Sequence, residues 1–189
     1  MKKVGLFLFL VGAMIACTTP EKEVVENDVV IPVKTEEEFI EHLRNLDDSL
    51  KAVITESFQK QEKFPVGAYQ KAIEQHLEFY KAYPKNKNVA ESLDKAQSFY
   101  TQLRAEEKAA VWRDTIIFNF KEYVNRPRVL ETQGVYYDAD NYNPEKIKLY
   151  YTMLLDEYPD LDSNKRVEIQ FRLDNVNLSF DELIELNTK

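Results

Sequence analysis

Glycine is scarce: four in 189 residues, two of which, Gly5 and Gly12, fall in an apolar N-terminal run. Gly67 and Gly134 serve everything else, so glycine-rich phosphate loops and tight two-residue hairpins are excluded. Cysteine occurs once, at Cys17, which rules out an internal disulfide framework and a multi-cysteine zinc site. Histidine occurs twice, as His42 and His76, and no Gly-x-Ser-x-Gly nucleophile motif is present. Positive charge is also short, with 25 basic residues against 33 acidic and a net charge of −8. Such a chain is repelled by polyanions, so neither nucleic acid nor an anionic lipid surface is expected to bind it directly. The longest apolar run, residues 4–16, is shorter than the roughly 20 residues of a membrane span.

What is present begins with MKKVGLFLFLVGAMIAC, two lysines followed by that apolar run and the one cysteine. The pattern is that of a secretory signal. Its last four residues, Met14-Ile15-Ala16-Cys17, resemble the lipobox of bacterial lipoproteins, with Met14 in place of the usual leucine. The resemblance implies a signal peptide over residues 1–16, lipidation of Cys17 and cell-envelope localisation, with Thr18 favouring delivery to the outer membrane, facing the periplasm. Residues 17–34, polar and β-branched with Pro20 and Pro32, read as a flexible tether. The membrane is then met through acyl chains alone.

From residue 35 to 189 the periods are helical. Thr35 and Glu38 have capping-box spacing, and Phe39, Leu43, Leu46, Leu50 and Val53 form a stripe behind them. Tyr69, Ala72, Ile73, His76, Leu77 and Tyr80 mark a second helix, which the Tyr83-Pro84 pair should end. A third runs from Val89 to Leu103. A fourth carries Ala109, Trp112, Ile116, Phe120 and Tyr123, with a stop expected near Arg126-Pro127. Residues 128–143 are the least regular. Asn143-Pro144 opens the next helix, with Asn as cap and Pro in the first turn, and Ser179 with Glu182 is a second capping box. Val167, Ile169, Phe171 and Leu173 alternate with polar residues, which is the strand period. A lone strand would leave its backbone groups unpaired, so a helix is expected there, with a strand as the alternative.

Aligning LEFYKAYP, IFNFKEYV and TMLLDEYP places Tyr83, Tyr123 and Tyr158 40 and 35 residues apart. A period in this range, made of two helices, marks a helical solenoid. These segments, with Ala72, VAESLDKAQSFYTQL, Gly134 at a close helix approach and the closing RLDNVNLSFDELIEL, resemble tetratricopeptide repeats of Bacteroidetes envelope lipoproteins. Val124 stands where the middle repeat would carry proline. The resemblance spans roughly residues 66–187. It implies an all-α solenoid of about three repeats with flanking helices, a non-catalytic adaptor that binds a protein or extended peptide on its concave face. A permanent subunit of an outer-membrane assembly or secretion machine, or a factor acting with peptidoglycan enzymes, would use the same fold.

In such a stack the first helix of each repeat lines the concave face, and Lys95, Phe99, Gln133 and Tyr137 leave the apolar stripes there. They are the candidate partner-binding residues; packing between repeats is the other reading of Phe99 and Tyr137. His76 reads as a packed, hydrogen-bonded side chain. The run from Asp138 to Asn143 has oxygens at alternate positions as a calcium loop would, but Tyr142, Asn143 and Leu149 sit where ligand, glycine and closing glutamate belong. No metal, cofactor or catalytic residue is expected.

Overall fold

The computed structural model describes residues 34–187; the signal segment, Cys17 and the tether through residue 33 lie outside the described residues. Among the described residues the fold is all-α, with no strand. Eight helices follow one another: α1 Glu36–Gln59, α2 Val66–Ala82, α3 Val89–Gln102, α4 Glu106–Asn119, α5 Arg126–Val135, α6 Pro144–Glu157, α7 Ser163–Asp174 and α8 Phe180–Asn187. Among them none is long and apolar enough to cross a membrane.

Packing follows chain order: α1 lies on α2, α2 on α3, and so on to α6 on α7. Short connections between packed neighbours give antiparallel pairs. Phe39 at the start of α1 meets Phe79 and Tyr83 at the end of α2, and Tyr69 at the start of α2 meets Phe99 at the end of α3. The central core joins Phe79, Leu93, Ile116, Leu130, Ile147 and Leu154, all fully buried.

The expected end signals hold at several points. Thr35 and Glu38 form a reciprocal capping box, Asn143 Oδ1 accepts from the Lys146 N–H with Pro144 in the first turn, and Ser179 and Glu182 cap each other. Tyr83 and Tyr158 are the C-caps of α2 and α6, each before a proline. The middle helix corrects the alignment. α4 closes at Phe120 with the same backbone geometry, and Tyr123 lies three residues on, in the turn. The repeating position is therefore Tyr83, Phe120, Tyr158, at even intervals of 37 and 38 residues. Arg126-Pro127, expected to stop a helix, opens α5 instead, because proline's fixed φ and missing N–H suit a first turn. First helices keep the same register: their N-caps, Asn88, Asn125 and Asp162, are 37 residues apart.

Two connections contain a non-glycine residue at positive φ, Gln61 (53°) and Arg104 (56°). Both are Schellman turns: Arg104 N–H bonds to the Thr101 carbonyl and Ala105 N–H to Tyr100, a pair repeated by Gln61 on Phe58 and Glu62 on Ser57. The irregular stretch after α5 is a π-helical turn, Tyr136–Asp140. Residues 163–174 are helical, as expected. The alternation there reflects two faces of one helix, with Ile169 and Leu173 turned to the core and Val167 and Phe171 exposed.

Candidate functional site

First helices are tied to one another by ion pairs that skip the helix between them. Asp47 of α1 receives Lys95 of α3 at 2.7 Å, Asp94 of α3 receives Arg128 of α5, and Glu131 of α5 receives Lys165 of α7 at 2.8 Å. The last two rungs repeat at 37 residues, Asp94 to Glu131 and Arg128 to Lys165. This row defines the face on which the four candidate residues were expected to stand open.

The structure puts three of them in partial contact with solvent and buries the fourth. Lys95 is half-buried, held by Asp47 and by Glu91 at 3.2 Å. Burial alone would lower its pKa, but the Asp47 and Glu91 carboxylates outweigh that and raise it. Phe99 is half-buried, edge-on to Tyr69 at 5.7 Å and tilted on His76 at 5.8 Å. Tyr137 stacks on Tyr150 with centroids 5.7 Å apart, and burial followed by the Asp114 charge raises its pKa. Gln133 is 0% exposed, which corrects its placement in an open groove. α5 is covered by both α4 and α6, so a residue off one apolar stripe falls on a second buried face.

Gln133 is the centre of a buried polar network. Its Oε1 accepts from Arg113 Nε at 2.7 Å, and its Nε2 donates to Asp114 at 2.8 Å and to the Ala110 carbonyl at 3.1 Å. Asp114 also accepts from the Tyr150 hydroxyl at 2.6 Å, and Arg113, 1% exposed, reaches Glu106 at 3.0 Å. Helices α4, α5 and α6 are thus joined through satisfied polar groups rather than apolar contact alone.

A second polar chain joins α1, α2 and α3. His76 is 1% exposed, with Nε2 3.0 Å from Asp47 and Nδ1 2.8 Å from the Ser92 hydroxyl. Burial raises the Asp47 pKa, and hydrogen bonds from His76 and Lys95 more than reverse this, leaving it below the ordinary carboxylate value. The residue order resembles a hydrolytic triad. However, Ser92 also donates to the His76 carbonyl at 3.2 Å, and the neighbouring cleft is only about 70 Å³. That volume holds a water or two, not a substrate. His76 is packed and hydrogen-bonded, as read from its place on an apolar stripe. Asp47 and Ser92 were not singled out, because 45 residues and no motif separate them.

Asp138 of the calcium-like run gives both oxygens to Arg172 at 2.8 Å, and Asn143 is spent on its cap. Among the described residues no group of three or more metal-ligating side chains converges. Gly134 carries the close approach expected of it. A Cβ there would lie 2.7 Å from Tyr151 Cδ1 and nearer still to Cε1.

Open grooves lie along α2–α3, beside the α2–α3 turn and toward the C-terminal end, and the last has the most apolar walls. A groove of about 510 Å³ runs between α5, α7 and α8. Tyr151, Ile169 and Leu183 form its floor, and Val135, Phe171 and Ile184, each between 43% and 49% exposed, form its walls. Its charged edge is Glu131, Lys165 and Glu168, and Lys165 is already engaged by both glutamates. Apolar walls from three helices around a groove of this size suit a peptide or side-chain anchor. No family model, curated protein or solved structure matches the chain.

Proposed function

We propose that the protein is a lipid-anchored, non-catalytic adaptor of a bacterial cell envelope, a tetratricopeptide-like stack of helical hairpins that holds a partner protein in the groove between α5, α7 and α8. The observation that carries the reading is the recurrence at 37 and 38 residues of one turn geometry and one cross-helix ion pair. Repetition of this kind builds an extended surface from units that bury one another, a form suited to binding chains rather than transforming small molecules. The anchor rests on Met14-Ile15-Ala16-Cys17.

Two experiments test the two halves. Cys17→Ala should shift the protein from the membrane to the soluble or unprocessed fraction; unchanged detergent partitioning removes the anchor from the account. Affinity capture from detergent-solubilised membranes should recover a partner with the parent chain and lose it with Val135→Asp, since a charge on the groove wall must be desolvated by any apolar anchor. Equal recovery with both would remove the groove as the binding surface.

A further inference from the structure

At the C-terminal end of the described residues the repeating register continues onto α7, but the contacts that cover it do not. On α5, Arg126, Leu130 and Gly134 are covered: Arg126 is bonded to Glu157 and Tyr158 at the end of α6, Leu130 is 0% exposed, and Gly134 lies under Tyr151 of α6. Thirty-seven residues earlier, on α3, Val89, Leu93 and Gln97 are buried in the same way. Thirty-seven residues later, on α7, the same positions are Ser163, Val167 and Phe171. All three are exposed, Val167 at 69%. α8 does not pack along α7 as α6 packs along α5; Ile184 of α8 and Phe171 line one groove, and Val167 stays 69% exposed.

The ion-pair row stops at the same end. Its acidic positions are Asp94, Glu131 and Glu168, evenly spaced by 37 residues, and the first two receive Arg128 and Lys165 from the next first helix. Among the described residues Glu168 is ion-paired with Lys165 of its own helix, at 3.5 Å, and its side chain is 68% exposed. An apolar ridge with i, i+4 spacing and an acid that, among the described residues, receives a cation from its own helix alone therefore stand side by side.

We propose, resting on the adaptor reading above, that this face of α7 receives an amphipathic α-helix of a partner protein, which packs across Val167 and Phe171 and sets a lysine or arginine against Glu168. The ridge dictates a helix, because i, i+4 rows interlock with the grooves of another helix. α7 has its backbone groups satisfied internally and offers no edge to an added strand. The acid dictates a basic edge on that helix. A second copy of this chain fits poorly: its net charge is −8, and its first helix opens with Glu36, Glu37, Glu38 and Glu41.

The test is site-specific photo-crosslinking in the full-length chain, in cells that make it, with benzoylphenylalanine at Val167, at Val135 in the groove, and at Val124, 81% exposed in the turn between α4 and α5 and outside the groove lining, as the control. The result expected is a Val167 adduct with another protein, crosslinked within a segment whose apolar residues recur every three and four positions and which carries lysine or arginine. Adding Glu168→Lys should cut the adduct yield about tenfold, whereas Glu122→Lys should leave it unchanged. Val167 and Glu168 are both exposed, so the thermal midpoint should hold in all variants. An adduct at Val135 without one at Val167 overturns this proposal alone. A Val167 adduct with a second copy, or with a non-helical or acidic segment, or a yield indifferent to Glu168→Lys, also overturns it. Silence at both positions overturns the adaptor reading with it.

Discussion

The first helices of the α4–α5–α6 junction and the α7–α8 end share one 37-residue register and have opposite surfaces. At the junction, Arg113, Gln133, Asp114 and Tyr150 are hydrogen-bonded to one another, and Arg113 and Gln133 are buried. At the end, Val167 and Phe171 are exposed apolar groups, and Val135 of α5 lines the same groove as Phe171. Buried polar groups tolerate only the geometry that satisfies them, so the junction fixes register. Apolar walls accept many shapes, so the end is suited to something outside the fold. The contrast separates residues that hold the structure from residues available to a partner.

The comparison is broken most strongly at Arg113. Arg113→Ala leaves Gln133 Oε1 and Glu106 without their donor, and a loss of about 3–5 kcal/mol is expected, read as the shift in a urea midpoint. Phe171→Ala, by contrast, should change that midpoint little. Next comes Gly134→Ala. The added methyl must displace the Tyr151 ring, so a net loss of about 1–3 kcal/mol is expected despite alanine's better helix propensity; a variant as stable as the parent would mean that α5 and α6 can separate at no cost.

The N-terminal polar chain sharpens the comparison through pH. Asp47 has a folded pKa below its unfolded value, so its contribution is complete above the unfolded value of about 3.9 and is lost as pH falls through the folded one. The parent should lose more stability than Asp47→Asn on acidification below about pH 4, and superimposable stability–pH curves would count against the His76 and Lys95 hydrogen bonds. The smallest effect is a gain. Arg104 holds φ at 56°, where glycine carries no Cβ penalty, so Arg104→Gly should raise stability by about 0.5–1 kcal/mol by thermal melting.

Much of the fold was legible because helix ends announce themselves locally: Thr35 with Glu38, Asn143 with Pro144 and Ser179 with Glu182 need only neighbours a few residues away. Gly134 could also be read, since a lone glycine on a helix needs a packing reason. The helix-end alignment misplaces its middle member by three residues, because Tyr123 looks like Tyr83 and Tyr158 in composition while Phe120 takes the C-cap. The burial of the candidate binding residues was the least legible. Leaving one apolar stripe means exposure only on a helix with a single buried face, and α3 and α5 are covered on two. Gln133 was drawn into the interior by Arg113, twenty residues away. The better signal was the 37-residue recurrence of opposite charges, Asp94 with Arg128 and Glu131 with Lys165, which shows where the row ends.

Gln133 and Val135 stand two residues apart on α5 and fall on opposite sides of this division. Measuring the thermal midpoint and partner capture for Gln133→Ala and Val135→Asp in parallel tests it most directly. Gln133→Ala should melt early by an amount corresponding to about 1–3 kcal/mol and still capture the partner below its midpoint; Val135→Asp should melt within about 0.5 kcal/mol of the parent and capture none. The reverse pattern, with Gln133→Ala stable but unable to bind and Val135→Asp binding normally, would contradict the account.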